Sequence, residues 1–166
     1  MDFNTFERDD VAAGTPYLFF LRLVLSLAAS KPPRGQRQVA LHDASVALFH
    51  ATLDEWLVAI PPVGLRRPGH LWQLKKALYG TRRASQLWQT YIGDMFVENQ
   101  WRRVTPCLGA FYSPALDITT GVHGDDFLTE GTPEALDKLD SMLATWIEIK
   151  YLGRLGPGRV RSSSAT

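Results

Sequence analysis

The sequence contains a single cysteine, Cys107, among 166 residues. One thiol cannot form an intramolecular disulfide, so a disulfide-stabilised scaffold is excluded and a reducing compartment is indicated. The usual zinc spacings are absent too, because the four histidines form no HxH or HxxxH pattern and one cysteine adds nothing. The sequence therefore argues against a small secreted domain held by disulfides and against a domain stabilised by zinc.

Long hydrophobic runs are also lacking. The longest, PYLFFLRLVLSLAA, is interrupted by Arg22 and is too short to span a bilayer comfortably, so it predicts a buried helix. No signal peptide is evident. We therefore expect an intracellular protein, cytoplasmic or nuclear and not secreted, with no membrane partner.

Acidic residues are scarce in the middle of the chain. Between Arg66 and Arg103 there are eight Lys and Arg against two acidic residues, whereas the remainder has ten against fifteen. The formal net charge of +1 hides this asymmetry. A basic segment beside an acidic remainder predicts a polyanionic partner and a site for cations. Basic pairs scattered over a solvated surface would give the same count.

The spacing of apolar residues predicts an α+β fold, an antiparallel sheet with helices packed on one face. Helices are expected at 16–29, with Leu18, Leu21 and Leu25 recurring on one face, and at 83–98, and a last one opens at Pro133. One or two helical turns are expected in ASVALFHATL. Strands are expected at QVALHD, EWLVAI, LWQL, AFYS, DITTGVH, FLTE and IEIKYLG.

The length suffices for one domain with a sizeable core. The expected organisation is an irregular N-terminal segment at 1–15, one domain at 16–155 and a flexible tail at 156–166.

Three aspartates stand at predicted strand ends. Asp43 closes QVALHD, and Asp125 and Asp126 occupy a hairpin tip after Gly124. If these strands are neighbours, the three carboxylates converge and would repel one another without a cation. Such oxygen ligands suit Mg²⁺, and two ions can clamp both the attacking and the leaving oxygen of a phosphoryl transfer. The alternative is a solvated turn, because Gly and Asp are ordinary turn residues.

Three sequence blocks occur in a characteristic order: LHDASVALFHATLDEWLVAIPPVGL, LWQLKKALYGTRRASQLW and VHGDDFLTEG. Together they resemble the reverse transcriptase domain of Ty1/copia-type retrotransposons. In that family an aspartate opens an apolar segment, a Pro-Pro-Gly-like loop and a K-x-L-Y-G block with a tryptophan follow, and a Y-V-D-D hairpin closes the series. Each block alone is weak, whereas three in order are specific.

The resemblance implies a right-hand polymerase palm that copies RNA or DNA templates with deoxynucleoside triphosphates and two Mg²⁺ or Mn²⁺ ions. It implies that Asp43 and Asp125 are metal ligands and that Asp126 assists them. By the same resemblance, the nucleotide-binding residues are Leu48, Phe49, Tyr79 and Gly80. The positions expected to meet nucleic-acid phosphates are Lys75, Lys76, Arg82 and Arg83.

The chain departs from the family pattern at four positions. His123 and Gly124 stand where the family has Tyr and Val. Leu48 stands where an aromatic residue usually blocks a ribose 2′-hydroxyl, so weaker sugar discrimination is expected. Ser85 replaces a proline and is expected to loosen the start of its helix.

The fingers, thumb and ribonuclease H regions of a complete element are not found in the chain, so a fragment that is inactive alone is expected, its missing parts supplied by a longer polyprotein. Two other functions stay open. One is a non-catalytic nucleic-acid-binding remnant that uses the basic segment. The other is a metal-dependent phosphohydrolase that uses the same carboxylates.

Overall fold

The computed structural model describes residues 18–156 except residues 34, 35, 106 and 108. The expected irregular segment at 1–15 lies outside these residues, as does nearly all of the tail expected at 156–166. The described helices are α1 (Leu18–Ser30), α2 (Ala47–His50), α3 (Ala84–Glu98) and α4 (Pro133–Trp146). The strands are β1 (Gln38–Ala44), β2 (Val58–Ala59), β3 (Trp72–Gln73), β4 (Arg102–Arg103), β5 (Ala110–Ser113), β6 (Ile118–His123), β7 (Asp126–Gly131) and β8 (Ile149–Leu155).

Six of these strands form one sheet in the order β4-β5-β6-β7-β1-β8, and every neighbouring pair is antiparallel. The remaining two, β2 and β3, form a separate two-stranded hairpin. The predicted α+β class with an antiparallel sheet is therefore confirmed. The strand β1 lies between β7 and β8, so the first aspartate-bearing strand is in the interior of the sheet.

One face of the sheet packs against α2, α3 and α4. Trp88 and Phe96 of α3 and Leu139 and Leu143 of α4 are buried against Phe127 and other strand residues. The predicted cap of α4 is present, because the Thr132 hydroxyl accepts a hydrogen bond from the Ala135 amide at 3.3 Å.

The other face packs against α1, which corrects the prediction that all helices lie on one side. Phe20 and Val24 of α1 form a second cluster with Val39 and Ala110. The Phe20 ring lies directly over Gly121, where an added Cβ would stand 2.0 Å from Cε1 of that ring. Glycine in β6 thus permits the close approach of α1.

The leucine spacing predicts that the leucine face of α1 is buried, and the structure shows that face exposed. Leu18, Leu21 and Leu25 are exposed. Helix α1 is therefore only half buried. Among the described residues, no helix has both the length and the apolar character needed to cross a membrane.

A buried ion pair joins the strands that carry the aspartates. Arg37 donates to the Glu130 carboxylate at 2.6 Å, and both side chains are almost fully buried. Asp117 and Lys31 extend the network at its solvent side. Burial raises the pKa of Glu130 above its usual value, while the hydrogen bond and charge of Arg37 oppose that rise. The pair fixes β1 to β7 at the end away from Asp43.

A second polar contact ties β1 to α4. The His42 Nε2 lies 2.8 Å from the Asp140 carboxylate, and Arg154 of β8 reaches the same carboxylate. His42 is fully buried on the face of the sheet that packs against α4. Its contact with Asp140 therefore holds the residue before Asp43 in place.

Candidate metal and nucleotide site

The hairpin between β6 and β7 has a two-residue turn. His123 pairs with Asp126, which leaves Gly124 and Asp125 as the central residues. Gly124 has φ +62° and Asp125 is not among the residues with positive φ. A positive φ at the first central position alone is the pattern of a type II′ turn, which matches the twist of a hairpin. The backbone conformation of this turn therefore favours glycine.

Strand pairing brings Asp43 to the same place. Asp43 stands opposite Asp126 in the β1–β7 register, so both side chains project from one face of the sheet. The Ala44 amide donates to the Asp125 carbonyl oxygen at 2.8 Å, which ties the end of β1 to the turn. The residues that the sequence separates widely are thus neighbours by backbone hydrogen bonding.

The structure brings the three predicted carboxylates together. One ligand oxygen from each of Asp43, Asp125 and Asp126 lies within 4.8 Å of the others. Asp43 is partly buried and the other two are exposed. Three carboxylates that open to solvent are the donor set that hard divalent cations take, with water or substrate oxygens completing the shell. The residues present therefore fit Mg²⁺ or Mn²⁺.

The electrostatics of the cluster agree with a cation site. Burial, followed by the charges of Asp125 and Asp43, raises the pKa of Asp126, and His123 opposes this rise weakly. Lys150 of β8 approaches Asp43 at 3.7 Å and supplies a partial counter-charge. Proximity of like charges is unfavourable in the unliganded chain, and a bound cation relieves it.

A cleft of about 260 Å³ opens beside Asp125. Of the residues predicted to bind nucleotide, Leu48, Tyr79 and Gly80 line it. Phe49 is not among the lining residues. Its ring instead packs edge-on against Tyr79, with the ring centroids 6.2 Å apart.

The predicted phosphate-binding residues have different surroundings. Lys75, Lys76 and Arg82 are exposed, and Arg83 is half-buried. Lys76 donates to the His50 carbonyl at 2.9 Å, and Arg83 pairs with Asp54 at 2.7 Å. These last two side chains therefore brace the loop before α3, and only their remaining donors can meet a phosphate.

Sequence reasoning missed three residues of this site. Thr81 and Gln89 line the cleft, and Trp88 donates its indole N–H to the Gly124 carbonyl oxygen at 2.6 Å. Thr81 directly follows the K-x-L-Y-G block, and Trp88 and Gln89 lie in the helix after it, so their position along the chain was a usable signal. Nothing in the sequence indicated the hydrogen bond of Trp88.

The chain is thus an α+β domain in which three carboxylates that could hold a divalent cation converge where β1 meets the β6–β7 turn, beside a cleft. A family model matches residues 3–157, and the chain belongs to that family: reverse transcriptase (RNA-dependent DNA polymerase).

One curated relative agrees with this assignment. A Saccharomyces cerevisiae protein named for the transposon Ty5-1 is 26% identical over 119 residues, which cover 68% of this chain and 39% of that protein. The chain therefore spans well under half the length of that relative. The two matches confirm the predicted kinship with Ty1/copia-type reverse transcriptases. No solved structure matches the chain significantly.

Proposed function

We propose that the chain forms the palm of an RNA-directed DNA polymerase and carries its catalytic carboxylates. The observation that carries the proposal is the convergence of Asp43, Asp125 and Asp126 within 4.8 Å, at the edge of a cleft lined by the K-x-L-Y-G block. The proposed palm covers residues 16–155. The family match supports this activity. The palm geometry and the two-metal mechanism are proposed.

In this proposal Asp43 and Asp125 hold the cations and Asp126 supports them. Two Mg²⁺ or Mn²⁺ ions, when bound, would supply the charge that stabilises nucleotidyl transfer, in which the primer 3′-hydroxyl displaces pyrophosphate from the α-phosphorus of a deoxynucleoside triphosphate. The chain's own contribution is to fix the carboxylates on hydrogen-bonded backbone, so that little reorganisation is needed. The β6–β7 turn and the end of β1 provide that fixed frame.

The cleft would hold the nucleotide. Tyr79 and Gly80 would contact the base pair that forms, and Leu48 would lie beside the sugar. Because Leu48 is buried and aliphatic, it offers less bulk against a 2′-hydroxyl than an aromatic ring does. Phe49 would act indirectly, by supporting the Tyr79 ring.

The template and primer would bind to the basic segment, with Lys75, Lys76, Arg82 and Arg83 as the phosphate contacts. Lys76 and Arg83 would also hold the loop before α3. Rate in phosphoryl transfer depends on positioning, so a chain that spans 39% of its relative is proposed to work within a larger polyprotein. By itself it is expected to bind its substrates and to extend primers little.

Binding of the correct nucleotide tests this function directly. With Mn²⁺ and a primer–template, a fluorescent deoxynucleoside triphosphate complementary to the template base should bind about tenfold more tightly than a mismatched one, corresponding to ~1.4 kcal/mol. Asp125→Asn should abolish the preference, because it removes a metal ligand. Asp94→Asn, on α3, is the matched control and should retain it.

The two alternatives give different results in the same assay. A phosphohydrolase would release orthophosphate from the nucleotide without a primer and would not follow the template base. A non-catalytic remnant would bind the primer–template equally well with and without Mn²⁺. Either outcome would contradict the polymerase proposal.

Salt dependence tests the proposed nucleic-acid surface. If about four cations contact phosphates, the logarithm of the affinity for a primer–template should fall against the logarithm of salt concentration with a slope of roughly −3 to −4. Lys75→Ala should reduce the magnitude of the slope by about one. Lys138→Ala, exposed on α4 and outside the basic segment, is the control and should leave the slope unchanged. Binding that ignores salt would remove this surface from the proposal.

A further inference from the structure

Trp88 is a core residue whose hydrogen-bond partner lies at the candidate metal site. It lies in α3 with 1% of its surface exposed, and its indole N–H donates to the carbonyl oxygen of Gly124 at 2.6 Å. An indole has one donor, and a buried one needs a partner. Here the partner is not in the helix or the packed core but in the turn that carries Asp125.

Two hydrogen bonds hold the backbone on both sides of Asp125. Trp88 restrains the peptide group between Gly124 and Asp125 through its carbonyl oxygen. Ala44 restrains the next peptide group, because its amide donates to the Asp125 carbonyl oxygen at 2.8 Å. With both peptide planes held, the direction of the Cα–Cβ bond of Asp125 is fixed.

Side-chain packing at the turn does not supply this restraint. Gly124 has no side chain, and a Cβ added there would meet nothing within 4 Å among the described residues. Its φ of +62° is one of several that glycine adopts readily, so an outside contact can restrict the turn further than the β6–β7 pairing does. The buried end of Trp88 provides that contact.

We propose that Trp88 is a positioning residue, whose indole N–H holds the Gly124–Asp125 turn so that the Asp125 carboxylate points toward Asp43 and a bound cation. This inference rests on the proposed function and deepens it. The core holds the Trp88 ring in a fixed position, because Trp88 is packed in the cluster between α3 and the sheet. The Trp88 indole thereby couples helix α3 to the hairpin tip.

The test separates the hydrogen bond from the packing. One variant replaces Trp88 by benzothienylalanine, which keeps the bicyclic shape and exchanges the N–H for sulfur. A second is Trp88→Phe. The matched control is Trp101→Phe, since Trp101 is also buried but packs on Phe96, with the ring centroids 4.8 Å apart.

Two measurements are made on each protein. In the metal-free state, amide nitrogen–proton NMR signals of Gly124 and Asp125 should shift or broaden in both Trp88 variants and stay unchanged in the control. Mn²⁺ should bind about tenfold more weakly to both Trp88 variants, the loss typical of a residue that orients a ligand. The control should lose thermal stability without losing Mn²⁺ affinity.

The outcomes are distinguishable from failure of the metal site. Unchanged turn signals in the benzothienyl variant would overturn the proposal, whatever the metal does. Shifted signals with full Mn²⁺ affinity would also overturn it, because the turn would then not govern Asp125. If the unaltered chain shows no Mn²⁺ binding that depends on Asp125, the proposed function fails, and the NMR comparison still decides whether Trp88 holds the turn.

Discussion

Replacing Arg37 by methionine is expected to lower the free energy of unfolding by about 3–5 kcal/mol at neutral pH. Methionine fills much of the same space but leaves the Glu130 carboxylate buried without its charged partner, and both side chains are at most 1% exposed. Lys31, 3.7 Å from Glu130, is too distant to replace the lost hydrogen bonds. Urea or thermal denaturation monitored by circular dichroism measures the effect.

The deficit should depend on pH in a defined direction. Burial raises the pKa of Glu130 above 4.5 in the folded chain, so the folded state holds this proton more tightly than the unfolded state. Stability therefore falls as pH rises from about 4.5 through the folded pKa. Loss of Arg37 removes an interaction that lowers this pKa. In the variant, the pH range over which stability falls therefore extends to higher pH. The loss of unfolding free energy in Arg37→Met should be smallest near pH 4 and largest at neutral pH.

The double variant Arg37→Met, Glu130→Gln is the control. It removes both charges, so most of the lost stability should return and the pH dependence should disappear. Mn²⁺ affinity should be unchanged in both variants that retain the fold, because Arg37 lies roughly 20 Å along β1 from Asp43. A single variant as stable as the unaltered protein would mean that the buried pair contributes nothing.

The elements that position the carboxylates could be predicted because local chemistry specifies them. Gly124 and two aspartates between β-prone runs specify a hairpin, and the structure has β6 and β7 there with a two-residue turn. The Thr-Pro pair at 132–133 specifies the start of α4 through a cap and a fixed φ. Both features depend on residues within four positions of one another.

The side of α1 that packs could not be predicted, because apolar residues surround that helix. Periodicity selects a face only when the other face is polar. In LFFLRLVLSLAAS, either the leucines or Phe20 could face the sheet. Phe20 does so because Gly121 has no side chain and leaves room for one ring. That glycine lies in a strand about a hundred residues away, so the choice is a property of the tertiary structure.

The hairpin β2–β3 shows a similar limit. EWLVAI has the composition of a strand, yet only Val58 and Ala59 pair, and Trp56 and Ile60 are exposed. β-propensity describes a fit to a half-buried surface, and within the described part of the chain no third strand pairs with this hairpin to supply one. In the site itself, the sequence indicated the three aspartates, whereas the indole bond to Gly124 depends on how α3 is oriented against the sheet.

Divalent cations are expected to stabilise the folded chain through the three carboxylates. At a free Mn²⁺ concentration about 100 times the dissociation constant, the free energy of unfolding should rise by about 2.7 kcal/mol. The physical reason is relief of repulsion among Asp43, Asp125 and Asp126, whose oxygens lie within 4.8 Å of one another. A thermal melt with increasing Mn²⁺, and then Mg²⁺, measures the gain.

The double variant Asp125→Asn, Asp126→Asn should lose this response and should be more stable than the unaltered chain without metal. The pKa of Asp126 is raised in the folded state, so its ionisation costs stability as pH rises from about 3.8 through the folded pKa. Asparagine removes that cost, and the advantage of the variant should vanish below this window. The matched control is Asp94→Asn, Asp137→Asn, which removes two exposed carboxylates elsewhere. An equal Mn²⁺ response in both double variants would mean that the cation binds at another place.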